Sequence, residues 1–365
     1  MNTNDEKKEV EIVYVPQYDE KYIQKLKPDD SKKNGTFFLY FSALIANLVY
    51  VSGATDYVWT SPVIPKLQTN DTNVNPLGRP VTTYEISLIA GLPKLAVLCG
   101  TLALGKLPDL VGRQKTLIYM ALGMVVSNLL VAFGNNIYVY LVCRSFFSFC
   151  FGGVAVALPV YLSEISEDHN RVKFGCLMNV CFPIGNLLSY IFGPITSVRL
   201  FTILCISPLI PSLFFLAIVI PESPVYLASN SNKIKTIAAL SKLRSNKSTE
   251  EIELDYLHLQ RAIKDRHDGS KPANSIWPFK PVALRRAFII ATIINSAQHA
   301  SGVGAIMSFL GPIFSEAGTQ LSGNTIAIIV GIVKMSSFFT TSLLVERLGR
   351  RPLLLFSSAS TGVPL

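Results

Sequence analysis

This chain has little charge. Of its 365 residues, 16% are Asp, Glu, Lys or Arg and 50% are hydrophobic, whereas soluble domains usually carry about 25% charge. Histidine is scarce: His169, His258, His267 and His299 are the whole supply, and no two stand at metal-ligand spacing. A metal centre is therefore not expected. The six cysteines, Cys99, Cys143, Cys150, Cys176, Cys181 and Cys205, form no CxxC pair and all fall in apolar runs. They read as small apolar residues in helix packing, not as a disulfide framework or zinc site. Gly302-Val303-Gly304 sits inside an apolar run with no strand before it, which excludes a nucleotide loop. Nothing resembles a catalytic triad, so an enzyme is the least favoured class and no cofactor is called for. No short apolar segment with a cleavage site precedes the first long run, so a cleaved signal peptide is not expected.

Long apolar runs are what the chain has instead. Eight are long enough to cross a hydrocarbon core of about 30 Å as helices: roughly 37–60, 84–105, 116–134, 137–163, 173–194, 200–220, 286–314 and 323–345. A ninth begins near Pro352. The fold class is an all-α polytopic membrane protein, with lipid as its constant neighbour. The net charge of +9 is not a nucleic-acid footprint, because the bases fall in alternate loops. Lys106, Arg113 and Lys115, then Arg171 and Lys173, then a base-rich stretch from Lys233 to Arg286, then Arg347, Arg350 and Arg351 mark one face. The other face holds little beyond Lys66, Arg79 and Arg199. The positive-inside rule places the amino terminus in the cytoplasm, as expected of a multi-pass protein of the cell membrane.

Four regions follow. Residues 1–36 are polar and read as a cytoplasmic tail. Residues 37–220 carry six spans, 221–285 form a cytoplasmic linker, and 286–365 begin a second set of spans, an incomplete second half. In the linker, Ile234, Ile237, Leu240 and Leu243 are spaced for one helical face, as are Ile252, Tyr256, Leu259 and Ile263. The loop at roughly 61–83 is expected outside and carries a glycosylation sequon at Asn70.

One charged phrase occurs twice: Asp109-Leu110-Val111-Gly112-Arg113 and Glu346-Arg347-Leu348-Gly349-Arg350, each between apolar runs. An acid, two residues, a glycine and a base at equivalent places in two halves is the pattern of a duplicated transporter. Within the spans, Arg144 and Asp56 lie at similar depth and can pair. Lys94 has no obvious partner. Lys334 falls in mid-span, where an ammonium must face a partner or a wet cavity; donation to a sugar oxygen, attraction of an anion, and a stem reaching toward water all remain open for it.

Several phrases resemble the sugar-porter branch of the major facilitator superfamily. They are Pro159-Val160-Tyr161-Leu162-Ser163-Glu164 followed by Arg171, Pro221-Glu222-Ser223-Pro224, Gln298-His299-Ala300-Ser301-Gly302, Ile313-Phe314 with Ala317-Gly318, and Gly349-Arg350-Arg351. Trp59-Thr60-Ser61-Pro62, with Pro65 and Leu67, is similar to the arthropod facilitated trehalose transporters. The resemblance runs from about residue 37 to the end. It implies a major facilitator fold and alternating access to a small neutral sugar, moved as a facilitative uniport of trehalose or a hexose. It maps Gln298 and His299 onto paired sugar-binding glutamines and Asn179 onto another substrate-contacting glutamine. Asn295, Gln298, Gly302 and Ala305, spaced 3, 4 and 3, are expected on one face, where amides offer both donor and acceptor to hydroxyls. The alternative for all of these is interhelical hydrogen bonding.

The same resemblance makes Asp109, Arg113, Glu164, Arg171, Glu222, Glu346, Arg350 and Arg351 a cytoplasmic set of ion pairs that latches the halves in one state and parts in the other. Their other reading is as loop anchors. Leu110 and Gln114 depart from the family's basic residues, Gly304 stands where a sugar-binding Asn is usual, and Lys334 stands where another Asn is usual. Proton-coupled relatives place their carboxylate where this chain has Thr60, one turn from Asp56, so uniport is favoured and proton coupling stays open. Two other readings remain: a non-transporting partner of a full-length transporter, and an organic-anion carrier motivated by Lys334.

Overall fold

The computed structural model describes residues 35–167, 170–269, 282–316 and 322–362, and the segment Gly35–Leu365 is one compact unit. Seven helical segments among the described residues are long and apolar enough to cross a membrane: Phe37–Leu67, Thr83–Leu104, Arg113–Phe133, Ile137–Ile165, Arg171–Ile195, Val198–Ile218 and Gly323–Thr341. In chain order, the first six comprise α1 (Phe37–Tyr57) and α2 (Thr60–Leu67), α3 (Thr83–Leu104), α4 (Leu107–Val111) and α5 (Arg113–Phe133), α6 (Ile137–Ile165), α7 (Arg171–Ile195), and α8 (Val198–Ile206) and α9 (Leu209–Ile218). The connection holds α10 (Pro224–Ser229), α11 (Lys233–Leu243) and α12 (Thr249–Gly269). The second set holds α13 (Val282–Ala300), α14 (Val303–Ser308), α15 (Leu310–Glu316), α16 (Gly323–Leu348) and α17 (Arg350–Gly362).

The first span is longer than its apolar run implies and is broken. Helix α2 continues to Leu67, so the expected loop at 61–83 starts only at Gln68. Lys66, expected in that loop, is on the helix, where its Nζ donates to Gly193 O (2.6 Å) and Thr196 O at the end of α7. A cation on the last carbonyls of a helix is favoured by the helix dipole. The break at Val58–Trp59 has a cause in sequence. Pro62 has no N–H to return to Val58 O, and the carbonyl accepts instead from Ser61 N (3.0 Å) in a tighter turn.

The seventh run, 286–314, is also not one helix. Gly302 takes φ 72°, a left-handed conformation natural to glycine, and ends α13; a second break at Phe309 separates α14 from α15. The expected single face through Asn295, Gln298, Gly302 and Ala305 therefore does not hold, because the left-handed residue resets the helical phase.

The repeated phrase twice puts a glycine of positive φ between two helices. Gly112 (φ 113°) joins α4 to α5 and Gly349 (φ 78°) joins α16 to α17. Both glycines sit where an L side chain is strained. This end of the bundle is the Gly112 face; the opposite end carries loop 68–82, ordered by Asn75, whose Nδ2 donates to Leu67 O (2.8 Å) and Arg79 O (2.7 Å), with Asn70 exposed.

The core of the six-span set is apolar, with Leu39, Ala43, Val49, Leu117, Met124, Phe147, Val154, Tyr161, Phe174 and Leu216 buried together. The connecting helices dock on its Gly112 face. Lys247 Nζ meets Glu167 (2.8 Å) and Asp255 (2.9 Å), Arg244 meets Asp255 (2.5 Å), and Thr36 Oγ1 donates to Leu243 O (2.6 Å). Leu240 and Leu243 are buried as their spacing requires, but Ile234 is 84% exposed.

Candidate functional site

At the Gly112 face, charges of the six-span set pair with one another. Arg113 Nε lies 2.9 Å from Glu164 and its Nη2 donates to Asp109 (2.8 Å). Ser223 Oγ donates to Glu164 (2.5 Å). The Glu222 carboxylate accepts from Gln114 N (2.8 Å) and Ser223 N (2.9 Å), an anion on the first turn of α5. Gln114, in place of the family's base, spends its amide on the end of the sixth span, donating to Ile220 O (2.8 Å) and Leu216 O. These contacts hold the six-span set together and do not reach across to the second. Arg171 and Arg351 are exposed, and the side chains of Glu346 and Arg350 lie outside the described residues.

Mid-membrane, Arg144 of α6 meets Asp56 of α1 at 3.3 Å, with side-chain exposures of 4% and 5%. The guanidinium also lies 4.1 Å over the ring of Trp59, whose Nε1 donates to Thr202 Oγ1 (3.1 Å). An unpaired charge here would be costly, and the pair plus the indole face is what makes burial tolerable.

Below the Asn70 face the two sets meet, and the breaks explain how. Pro312 has no N–H for Ser308 O, and Thr60 Oγ1 fills that carbonyl at 2.8 Å. Gly311 N donates to Ser61 Oγ (2.9 Å), and Tyr190 OH donates to Met307 O (2.9 Å). Hydroxyls of the first set thus satisfy backbone groups of the broken seventh span, as irregular backbone at membrane depth requires. Val58, Tyr190, Leu310 and Ala327 pack into a buried apolar cluster around them.

Beside this seal is a group of rings. Phe182 stands 5.4 Å from Tyr50 and 5.5 Å from Tyr57, and Tyr50 stands 5.5 Å from Phe151. A Cβ at Gly304 would come within 2.8 Å of the Tyr57 hydroxyl, so a larger residue there would require that ring to shift. Lys334 reaches the six-span set: with the Asn186 amide turned so that its Nδ2 donates to Ala54 O (2.8 Å), its oxygen accepts from Lys334 Nζ (3.1 Å). Asn179 is exposed on α7, two turns from Asn186 on the same face. Asn295 is exposed and returns its amide to Ala291 O (2.9 Å). Gln298 and His299 are on α13, but their side chains lie outside the described residues. The aromatic group and the contact of Lys94 with Tyr57 were not read from sequence; aromatic residues seven apart on the first span, Tyr50 and Tyr57, were the available signal.

The model of the family described as "Sugar (and other) transporter" matches residues 32–363. The chain belongs to this sugar transporter family. A facilitated trehalose transporter of Polypedilum vanderplanki is 30% identical over 308 residues, which cover 84% of this chain and 59% of the relative. A Drosophila simulans facilitated trehalose transporter homologue is 30% identical over 331 residues, 89% of this chain and 65% of its own length. The chain thus spans less than two thirds of the length of these relatives. Among solved structures, the partially occluded inward-open form of the Escherichia coli xylose transporter XylE superimposes with a TM-score of 0.65 at 17% identity, over 87% of this chain and 75% of that one. The proton:xylose symporter XylE bound to 6-bromo-6-deoxy-D-glucose gives 0.64 at 18%. At that identity the likeness concerns the fold alone, and the fold is that of the major facilitator superfamily.

Proposed function

We propose that this protein carries a sugar across the cell membrane by alternating access, with the side bearing Asn70 outside and closed and the tail and connecting helices in the cytoplasm. The observation that carries this reading is the seal made by Thr60, Ser61 and Tyr190 on the broken seventh span, beside a mid-membrane group of aromatic rings. Rings that stack on a pyranose, amides that bond its hydroxyls, and a seal of single hydrogen bonds suit a solute passed between two states a few kcal/mol apart. The relatives' names make trehalose the first solute to test, and glucose the second. Gln298, His299, Asn179 and Asn295 are the proposed recognition residues. Asp56 is paired with Arg144 at 3.3 Å and buried among packed side chains, and on that geometry uniport is the reading tested first. Asn70, exposed in its loop, is the proposed glycan acceptor. The cytoplasmic acids and bases, Glu346 and Arg350 among them, are proposed to latch the halves when the opposite side opens.

Uptake of labelled trehalose and glucose by proteoliposomes of the chain, with and without a proton gradient, tests this. Downhill, gradient-independent uptake of either sugar is expected. Gln298→Ala should weaken apparent affinity about three- to thirty-fold, the loss of one hydrogen bond and the desolvation of its partner. No uptake of either sugar would leave the readings of a non-transporting partner and of an anion carrier in its place.

A further inference from the structure

Two lysines approach one pair of rings from different spans. Lys94 of α3 puts Nζ 3.3 Å from the ring centre of Tyr57, and Lys334 of α16 puts Nζ 5.8 Å from the ring centre of Phe182. The two rings are 5.5 Å apart, edge to face. The row therefore runs cation, ring, ring, cation, and joins the six-span set to the second set. Both ammoniums are at the same depth. Each lysine stands eleven residues past the first residue of a helix that begins at the Asn70 face, Thr83 for α3 and Gly323 for α16. At 1.5 Å per residue that is about 16 Å, near the middle of a hydrocarbon core of about 30 Å.

Among the described side chains, neither lysine has a carboxylate within ion-pair distance. Among the described side chains, the one acid at this depth is Asp56, and it is held by Arg144. Lys334 has only the neutral amide oxygen of Asn186, and Lys94 only the Tyr57 ring and, at 3.4 Å, the Tyr57 carbonyl. Lys94 is nonetheless exposed, and Lys334 half-buried, so neither is sealed into packing. A ring face offsets only part of the cost of an ammonium at mid-membrane depth. Among the described residues the two ammoniums flank rings and amides suited to a hydroxylated ring, and a negative charge between them would answer both.

We propose that the solute of this carrier is an anionic sugar, a hexuronate or a compound of that class, whose carboxylate is neutralised by Lys94 and Lys334 while its ring lies against Tyr57 and Phe182. This rests on the sugar-carrier reading and narrows it.

The test is equilibrium binding of radiolabelled D-glucuronate and D-glucose to the purified full chain in detergent, with thermal unfolding of every variant recorded alongside. Glucuronate should bind about tenfold more tightly than glucose, a difference of roughly 1.4 kcal/mol. Lys94→Gln and Lys334→Gln should each weaken glucuronate about tenfold and leave glucose within about twofold. Lys94→Arg and Lys334→Arg, which keep the charge, should retain most of the glucuronate affinity and guard against a folding artefact. Glucose binding as tightly as glucuronate, with both sugars indifferent to the Gln variants, overturns the anionic solute and leaves the sugar carrier standing. Propionate competing as well as glucuronate, through the same lysines, keeps the cationic site and removes the sugar. Binding of neither sugar overturns the anionic solute and leaves the sugar-carrier reading to the trehalose uptake measurement.

Discussion

Contacts inside the six-span set and contacts between the two sets are made of different materials. Inside, charge meets charge: Arg144 with Asp56 buried at mid-depth, and Arg113 with Glu164 half-buried near the Gly112 face. Between the sets, the contacts described above are single bonds to neutral atoms: Thr60 to a carbonyl, Ser61 from an amide, Tyr190 to a carbonyl, Lys334 to an amide oxygen. Breaking a buried ion pair strands a charge and costs several kcal/mol, whereas a neutral hydrogen bond contributes about 0.5–1.5 kcal/mol. Strong internal and weak mutual contacts are what allow one body to rock against another without either coming apart.

The sharpest way to break this contrast is to strand the central charge. Asp56→Asn leaves Arg144 buried with only a neutral partner and should lower stability by about 3–5 kcal/mol, read as a large fall in the thermal midpoint. A midpoint near that of the parent would mean that the pair is not part of the internal glue.

A smaller effect separates the two copies of the repeated phrase. A side chain at Gly112 faces both an unfavourable backbone region and the Glu222 carboxylate, while one at Gly349 faces the backbone alone, with nothing within 4 Å. Gly112→Ala should cost about 2–3 kcal/mol and Gly349→Ala about 1 kcal/mol. Equal shifts in the thermal midpoint would show that the surroundings of the first turn add nothing.

The smallest effect lies between the sets. Thr60→Val keeps the shape and removes one bond, so stability should move by no more than about 1.5 kcal/mol while the balance of states moves up to about tenfold. A cysteine placed at Ala305 in a cysteine-free background should react faster with an impermeant thiol reagent from the side of Asn70. An unchanged rate would place the seal elsewhere.

The spans and the duplicated phrase were legible in the sequence, because runs of about 20 apolar residues have one use in a membrane and because a glycine between an acid and a base recurs. The breaks were not. Pro62 and Pro312 stand inside apolar runs, and hydropathy alone counts them as part of a span; what they do depends on which neighbour fills the carbonyl they leave. The same holds for Lys94. Its partner is a ring 37 residues away on another span, and no spacing rule finds a cation–ring contact between helices. The face expected through Asn295 and Ala305 failed for a reason visible only in dihedral angles, the left-handed Gly302. The acids and bases of the Gly112 face were legible as a group, but their pairing within one set depended on how the end of the sixth span folds back to present Glu222 and Ser223.

The seal also has an asymmetry that matters for engineering. Its donors and acceptors on the first set are hydroxyl side chains, but those on the seventh span are peptide groups of Met307, Ser308 and Gly311. Peptide groups are common to all residues, so the bond from Thr60 does not depend on the side chain at 308 so long as the breaks persist, whereas the Met307 side chain also touches Tyr190 (3.7 Å) and packs on the apolar cluster. A graft that keeps Met307, Leu310 and the glycine and proline spacing of this stretch would inherit the closure, whereas moving Thr60 or Ser61 by one position would abolish it.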